Sequence, residues 1–361
     1  MGKILIATNH SYMLYQFRRE LIAELLKDNS VTVSMPFVGH EDDFKAMGCK
    51  CIETDIDRRG INPKTDLKLF FNYLKLLKDE KPDKVITYSI KPNIYCALAA
   101  RIKRIPCYIN VQGLGTAFQN KKLAAIVTAM YKVATSKAKT VFFENTANAK
   151  EFIDRKIIPQ SKITVLNGAG VNLDYYDFTE YPDDETVKFL YLGRIMKEKG
   201  MDELFSAFTR LKNEHGDKVS LDVVGFFEDE YKEIIENLAD ENIINFHGFQ
   251  TDSRPYYKNC NCVVLPSYHE GLSNVLLEAS AIGRPVITSD IPGCKEAVND
   301  GKTGYLTEVK NADDLYEKMK TFVDLPFEEK KLLGKNARNK MENEFDKKMV
   351  VKQTISKINV V

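Results

Sequence analysis

The sequence has no apolar run approaching the ~18 residues a membrane span needs, and residues 1–8 lack the long apolar region of a secretory leader. Both absences lead to the expectation of a cytoplasmic protein, in contact with the inner face of the cell membrane at most. Cys-x-x-Cys pairs are missing too. The seven cysteines, an odd number, argue against a disulfide framework or a zinc site. Cys49/Cys51 and Cys260/Cys262 have strand spacing and read as small buried hydrophobes. Thiols of this kind fit a reducing compartment. There is no repeat of 20 to 50 residues, no low-complexity segment, and no Asp-x-Asp metal motif near an expected strand end.

What is present is a chain of 361 residues, 44% hydrophobic and 29% charged. That length suits two domains better than one core and leads us to expect a cleft between them. The net charge of +1 hides a sharp asymmetry. Residues 1–170 hold 27 Lys+Arg against 16 Asp+Glu, net +11, and the remainder holds 25 against 35, net −10. A basic half suits an anionic partner, such as a phosphate-bearing substrate or an anionic membrane surface. Docking of two oppositely charged halves is the alternative.

Short apolar runs alternate with amphipathic stretches from Lys3 to Phe143, as expected for strands buried on both faces and separated by helices. After a break at Asn167-Gly-Ala-Gly-Val171 and a polar, proline-bearing stretch, the alternation restarts at Val187 and runs to Thr288. The fold class is therefore α/β, with two doubly wound Rossmann-like domains over about 1–170 and 171–345. A C-terminal helix over about 346–361 is expected to pack back onto the first domain.

Ligands of open parallel sheets bind beyond the carboxyl ends of the strands, and four loops of the second domain lie there. The first reads Gly193-Arg-Ile-Met-Lys-Glu-Lys-Gly200. Arg194 can fork two diphosphate oxygens, Lys199 adds a point charge, and Gly193 and Gly200 let the turn approach a ligand. The second reads His269-Glu-Gly-Leu-Ser-Asn-Val-Leu-Leu-Glu278. A helix starting at Leu272 or Ser273 would aim the amides of Gly271, Leu272, Ser273 and Asn274 at a phosphate or sugar oxygen. At ~1.5 Å per residue Glu278 lies ~8 Å along that helix, about the reach from a diphosphate to a ribose, while Glu270 sits at the other end of the phosphates. Read blandly, Glu270 complements a helix dipole and Glu278 is an exposed helix carboxylate. The remaining loops carry Gly225-Phe-Phe and His247-Gly-Phe249-Gln. Their aromatics either receive a flat base or belong to the core.

Gly193-Arg194 and Lys199-Gly200, taken with Glu270-x7-Glu278 and Asp300-Gly-Lys-Thr-Gly304, resemble the family 4 glycosyltransferases, the retaining, metal-independent enzymes of GT-B architecture. The resemblance implies two Rossmann-like domains facing each other across a cleft. It implies UDP-sugar as donor substrate, no cofactor and no metal site. Arg194 and Lys199 would neutralise the diphosphate, Glu270 would meet the donor sugar and Glu278 the ribose. Thr8 to Arg18 replaces the glycine-rich loop of many members, and Gln112 precedes Gly113-Leu-Gly115 where many have a histidine. The first domain is more like enzymes that extend polyprenyl-diphosphate-linked sugars in bacterial surface polysaccharide or glycan assembly. A hexose or N-acetylhexosamine passing to a lipid-diphosphate-linked sugar is the function implied. His10, Asn93 and Gln112 are either first-domain contacts or ordinary strand-end residues. The stretch Lys121 to Lys139, with Arg58, Arg59, Arg101 and Arg104, offers a cationic amphipathic face to anionic lipid, or else is a core helix with solvated ends. Two rival readings share the architecture: a UDP-N-acetylglucosamine 2-epimerase-like enzyme, for which no histidine-bearing signature is found, and a non-catalytic nucleotide-sugar binding protein. No nucleic-acid partner is expected.

Overall fold

The structure is a computed structural model that describes residues 1–57, 62–114, 118 and 121–359. Arg58, Arg59, residues 115–117 and the side chain of Lys121 lie outside the described residues. The chain divides into two compact units, Met1–Ala169 with Met349–Val361, and Gly170–Lys348.

The first unit is built on seven parallel strands: β1 Gly2–Ala7, β2 Asn29–Met35, β3 Lys50–Glu53, β4 Lys84–Tyr88, β5 Cys107–Val111, β6 Thr140–Phe143 and β7 Ile163–Val165. Their order is β3-β2-β1-β4-β5-β6-β7. Alternate residues of one strand enter different cores: Leu5 and Ala7 join one cluster, Ile4 and Ile6 the other. Both faces are thus covered, so a strand such as β1 reads as a nearly unbroken apolar run. The second unit has six: β8 Val187–Leu192, β9 Val219–Val224, β10 Asn245–Gly248, β11 Cys262–Leu265, β12 Val286–Ser289 and β13 Gly304–Thr307. They lie in the order β10-β9-β8-β11-β12-β13, all parallel. In each unit the direction of winding reverses beside the first strand, between β1 and β4 and between β8 and β11. Crevices at such switch points are where ligands of this architecture bind.

Several elements depart from the sequence expectation. β3 and β7 are edge strands without a fully buried residue, so they lack the apolar signature. The stretch Ile243–Phe246 belongs to the alternating pattern, yet the strand begins only at Asn245, because Ile243 and Ile244 turn back onto the end of the preceding helix, both amides donating to Leu238 O. The helices Glu41–Ala46, Thr146–Asp154 and Ala312–Asp324 were not anticipated, although Asn145 and Asn311 cap the last two through their side chains.

The C-terminal helix Lys347–Ile358 starts beside the segment that enters the second unit: Val171 donates to Phe345 O, and Lys347 donates to Val171 O. Its far end belongs to the first unit, where Lys84 Nζ and Tyr108 OH both donate to Ile358 O at 2.7 and 3.0 Å. Val350 and Ile358 enter the core there.

Arg284 is fully buried in the second unit and has no carboxylate partner in hydrogen-bond reach among the described residues. Its guanidinium donates instead to the backbone oxygens of Thr179, Glu180, Tyr257, Lys258, Ile282 and Gly283. One side chain therefore joins the polar entry segment to the end of the helix Arg254–Asn259. Arg284→Met removes the donor from all of these acceptors, of which Ile282 O keeps the Thr179 amide, so it should destabilise the protein by at least ~2 kcal/mol in urea unfolding; an unchanged midpoint and slope would contradict this account.

Candidate functional site at the switch point of the second unit

The loop leaving β8 and the loop leaving β11 flank the switch point and are locked together through backbone. Gly200 has φ +74°, and a Cβ there would lie 2.1 Å from Pro266 O. Only glycine supplies both that conformation and that approach. Tyr268 N also donates to Glu198 O at 2.8 Å. On the other side Gly225, after β9, packs against Gly193 O, which a Cβ would meet at 1.8 Å. The space beside Gly200 and Gly225 is filled by neighbouring backbone, and that beside Gly193 by the Tyr191 hydroxyl at 3.2 Å.

Within this frame Lys199 ends a short 3-10 turn, Lys197–Lys199, that Gly200 closes. Its Nζ lies 2.5 Å from Glu270 Oε1, and both side chains are largely buried. Ser267 Oγ donates to the same oxygen at 2.9 Å. The structure thus brings Lys199 and Glu270 into direct contact. Arg194 is on the same loop but more exposed, and its Nη1 donates to Glu228 Oε2 at 3.0 Å. Tyr191 OH donates to Arg194 O at 2.6 Å and fixes the turn from below. Burial pushes the Tyr191 hydroxyl well above its usual range, so it serves as a donor.

The helix after β11 runs Asn274–Ile282, with Ser273 as its N-cap. One correction follows. Ser273 N donates to Gly293 O at 2.9 Å, so its amide is not free to hold an anion, and the expected cradle of four amides loses that member. Leu272 and Asn274 lie on either side of Ser273 at the helix entrance.

Glu278 is buried rather than exposed to solvent, and Tyr257 OH donates to its Oε2 at 3.0 Å. Burial raises its carboxyl to about 7, an effect that the hydroxyls of Tyr257 and Tyr176 and the charge of Lys347 oppose. The bland reading of Glu278 as a solvated carboxylate is overturned by that burial. Phe249 and Phe226 lie beyond β10 and β9, about half exposed, with ring centroids 6.0 Å apart at 70°. Phe227 packs on Phe246 instead. The open choice between base platform and core thereby divides: Phe226 and Phe249 are available to a flat ligand, and Phe227 belongs to the core.

In the first unit Asn93 is buried, accepting from Thr87 Oγ1 and donating to Asn110 O. His10 caps the helix Ser11–Leu26 through Nδ1. Both therefore have structural work. Sequence reading missed Ser267, Glu228, Tyr257 and Tyr176. Ser267 stood three residues before Glu270, but the others reach the site from distant segments and left no local signal.

Gly200→Ala forces a side chain into the left-handed region and against Pro266 O. It should cost about 2 kcal/mol or more and expose the Tyr268 amide to hydrogen exchange. Retained protection at Tyr268 would contradict the proposed lock.

Residues 177–340 match the family model described as "Glycosyl transferases group 1", and residues 3–145 match "Glycosyl transferase 4-like". The chain is 30% identical over 348 residues to the N,N'-diacetylbacillosaminyl-diphospho-undecaprenol alpha-1,3-N-acetylgalactosaminyltransferase of Campylobacter jejuni, covering 90% of each chain. It is 26% identical over 317 residues to the UDP-Gal:alpha-D-GlcNAc-diphosphoundecaprenol alpha-1,3-galactosyltransferase of Escherichia coli, covering 80% of this chain and 78% of that one. Anabaena HepE, solved in complex with UDP and glucose, shares the fold at 17% identity with a TM-score of 0.82 over the whole of both chains. Two doubly wound units, the interlocked loops at the second switch point and these likenesses agree: the chain belongs to the group 1, family 4-like glycosyltransferases of GT-B fold.

Proposed function

We propose that this glycosyltransferase moves a hexose or N-acetylhexosamine from a UDP-sugar to a lipid-diphosphate-linked sugar, with retention of configuration and without a metal ion. The observation that carries the reading is the Lys199–Glu270 pair at the second switch point, with Arg194 on the same loop and a helix entrance beside it. Cleavage of the sugar–phosphate bond builds positive charge on the anomeric carbon and negative charge on the diphosphate. Arg194, Lys199 and the amides of Leu272 and Asn274 supply fixed positive potential for the leaving group, the kind of preorganised stabilisation that lowers such barriers. In the free protein Lys199 and Glu270 satisfy each other. A donor would exchange that contact, its diphosphate taking Lys199 and its sugar hydroxyls taking Glu270. Phe249 and Phe226 suit the uracil ring, and Glu278 the ribose. Same-face departure and attack, with a leaving-group oxygen accepting the acceptor's proton, gives retention with no protein nucleophile.

The relatives named above act on diphospho-undecaprenol-linked sugars, and the first unit has features that suit a lipid-borne acceptor. No helix is long and apolar enough to cross a membrane among the described residues. The helix Lys121–Thr135 buries Ala124, Val127, Tyr131 and Ala134, yet exposes Ile126 and Val133. It packs on the helix Ala97–Lys103, which exposes Ile102 among Arg101, Lys103 and Arg104; this in turn packs on the helix Pro63–Glu80, which exposes Leu67 and Phe71. Apolar side chains ringed by cations suit an anionic bilayer surface.

Incubation with a panel of UDP-sugars and polyprenyl-diphosphate-linked sugars, with and without EDTA, should yield an α-linked product from an α-linked donor at an unchanged rate. Lys199→Ala should lower kcat by about 100-fold or more, the scale of one lost charge-stabilising donor. A β-linked product, or turnover abolished by EDTA and restored by a divalent cation, would contradict the mechanism. Ile126→Glu with Phe71→Glu should reduce co-sedimentation with phosphatidylglycerol vesicles several-fold while leaving UDP binding intact; undiminished sedimentation would contradict the membrane assignment.

A further inference from the structure

We infer that Tyr257 is a positioning residue for the donor: its hydroxyl fixes the Glu278 carboxylate, in the acceptor-only form, where it receives the ribose hydroxyls. The inference rests on the reading that Glu278 meets the ribose, and adds to it what holds that carboxylate in place.

Glu278 lies in the second turn of the helix Asn274–Ile282. A buried carboxylate needs donors around it to remain charged. Tyr257 OH supplies one at 3.0 Å, and Tyr257 is itself fully buried, so its hydroxyl has no water to turn towards. Three constraints hold that donor in place. The helix Arg254–Asn259 carries it, and Arg284 grips the end of that helix by donating to Tyr257 O at 3.0 Å and Lys258 O at 2.9 Å. At the start of the helix, Arg254 is fastened to Asp252 through two side-chain bonds of 2.8 and 2.7 Å and lies over the Tyr175 ring. The Tyr176 ring packs edge-on against Tyr257, with centroids 6.2 Å apart, and its hydroxyl is directed at Glu278 and Ser253.

The other charged groups near Glu278 are few. Lys347 contributes positive potential from the start of the C-terminal helix. Arg338, on the helix Phe327–Lys340 packed against the helix of Glu278, spends its guanidinium on Tyr176 O, Ala281 O and Glu342. Cys260 and Tyr257 are pushed upward by burial and do not ionise in the physiological range. Glu278 is thus the group of this cluster that titrates near neutrality, at about 7. A protonated carboxyl presents a donor where two ribose hydroxyls also present donors, so nucleotide affinity should follow the ionised fraction. Affinity then rises with pH through the carboxyl's own titration. Loss of a hydrogen bond to the charged form raises that titration further. The sign follows: without the Tyr257 hydroxyl, the affinity curve moves to higher pH.

The test is isothermal titration of UDP from pH 6.0 to 8.5 against the full-length wild-type protein, Tyr257→Phe, Tyr176→Phe and Glu278→Gln, each profile read as its ratio to Glu278→Gln to remove titration of the nucleotide itself. A displacement of about one unit predicts that Tyr257→Phe binds about eightfold more weakly than wild type at pH 6.5 and within about twofold of it at pH 8.5. Tyr176→Phe should shift the profile in the same direction. A Tyr257→Phe deficit that is constant across the range would overturn the inference and leave Tyr257 a packing residue. If Glu278→Gln binds UDP as tightly as wild type at pH 8.5, the ribose reading beneath it fails instead.

Discussion

Everything at the proposed donor site depends on how closely two loops of the second unit approach each other. Gly200 and the Pro266 carbonyl are in backbone contact that no larger residue permits, and the same device repeats between Gly225 and Gly193. Because the loops leaving β8, β9 and β11 are fused in this way, Lys199 and Glu270 meet without any flexible span between them. Preorganisation of this kind is what makes electrostatic stabilisation effective, since the charges need not be gathered when the diphosphate departs.

The charges are also balanced before a ligand arrives. Lys199 is held by Glu270 and Arg194 by Glu228, so neither of these cations of the loop stands as an isolated buried charge. In this strongly acidic half of the chain, Glu270 and Glu228 are placed as partners of the loop's cations. Glu278 follows a different rule. Its helix is buried almost throughout, so its carboxylate is sustained by tyrosine hydroxyls rather than by solvent. The two glutamates of one short motif therefore meet different demands, one held by an exchangeable ion pair and the other by fixed donors.

Much of this was legible in the sequence, and the reasons are physical. Strands covered on both faces are apolar over most of their length, so Ile4 to Ala7 and Phe189 to Leu192 announce a parallel sheet. Loops at the ends of such strands are the places where charge and glycine coincide, which singled out Arg194, Lys199, Glu270 and Glu278. What stayed hidden depends on pairings between distant segments. Nothing near Glu278 indicates that Tyr257, 21 residues away, donates to it. Arg284 reads as a surface cation until six carbonyls are found around it. The edge strands β3 and β7 are short and half-exposed, so pattern alone does not reveal them. The glycines were read as room for a ligand: a sequence shows where backbone must come close, and only the fold shows that the near neighbour of Gly200 and Gly225 is another loop.

The central claim is spatial, and a crystal structure of the protein with bound UDP tests it most directly. The account predicts the diphosphate between the 193–200 and 266–274 segments, with Lys199 Nζ drawn from Glu270 to a phosphate oxygen and a ribose hydroxyl within hydrogen-bond reach of Glu278. A nucleotide bound elsewhere, with the Lys199–Glu270 contact intact, would contradict it.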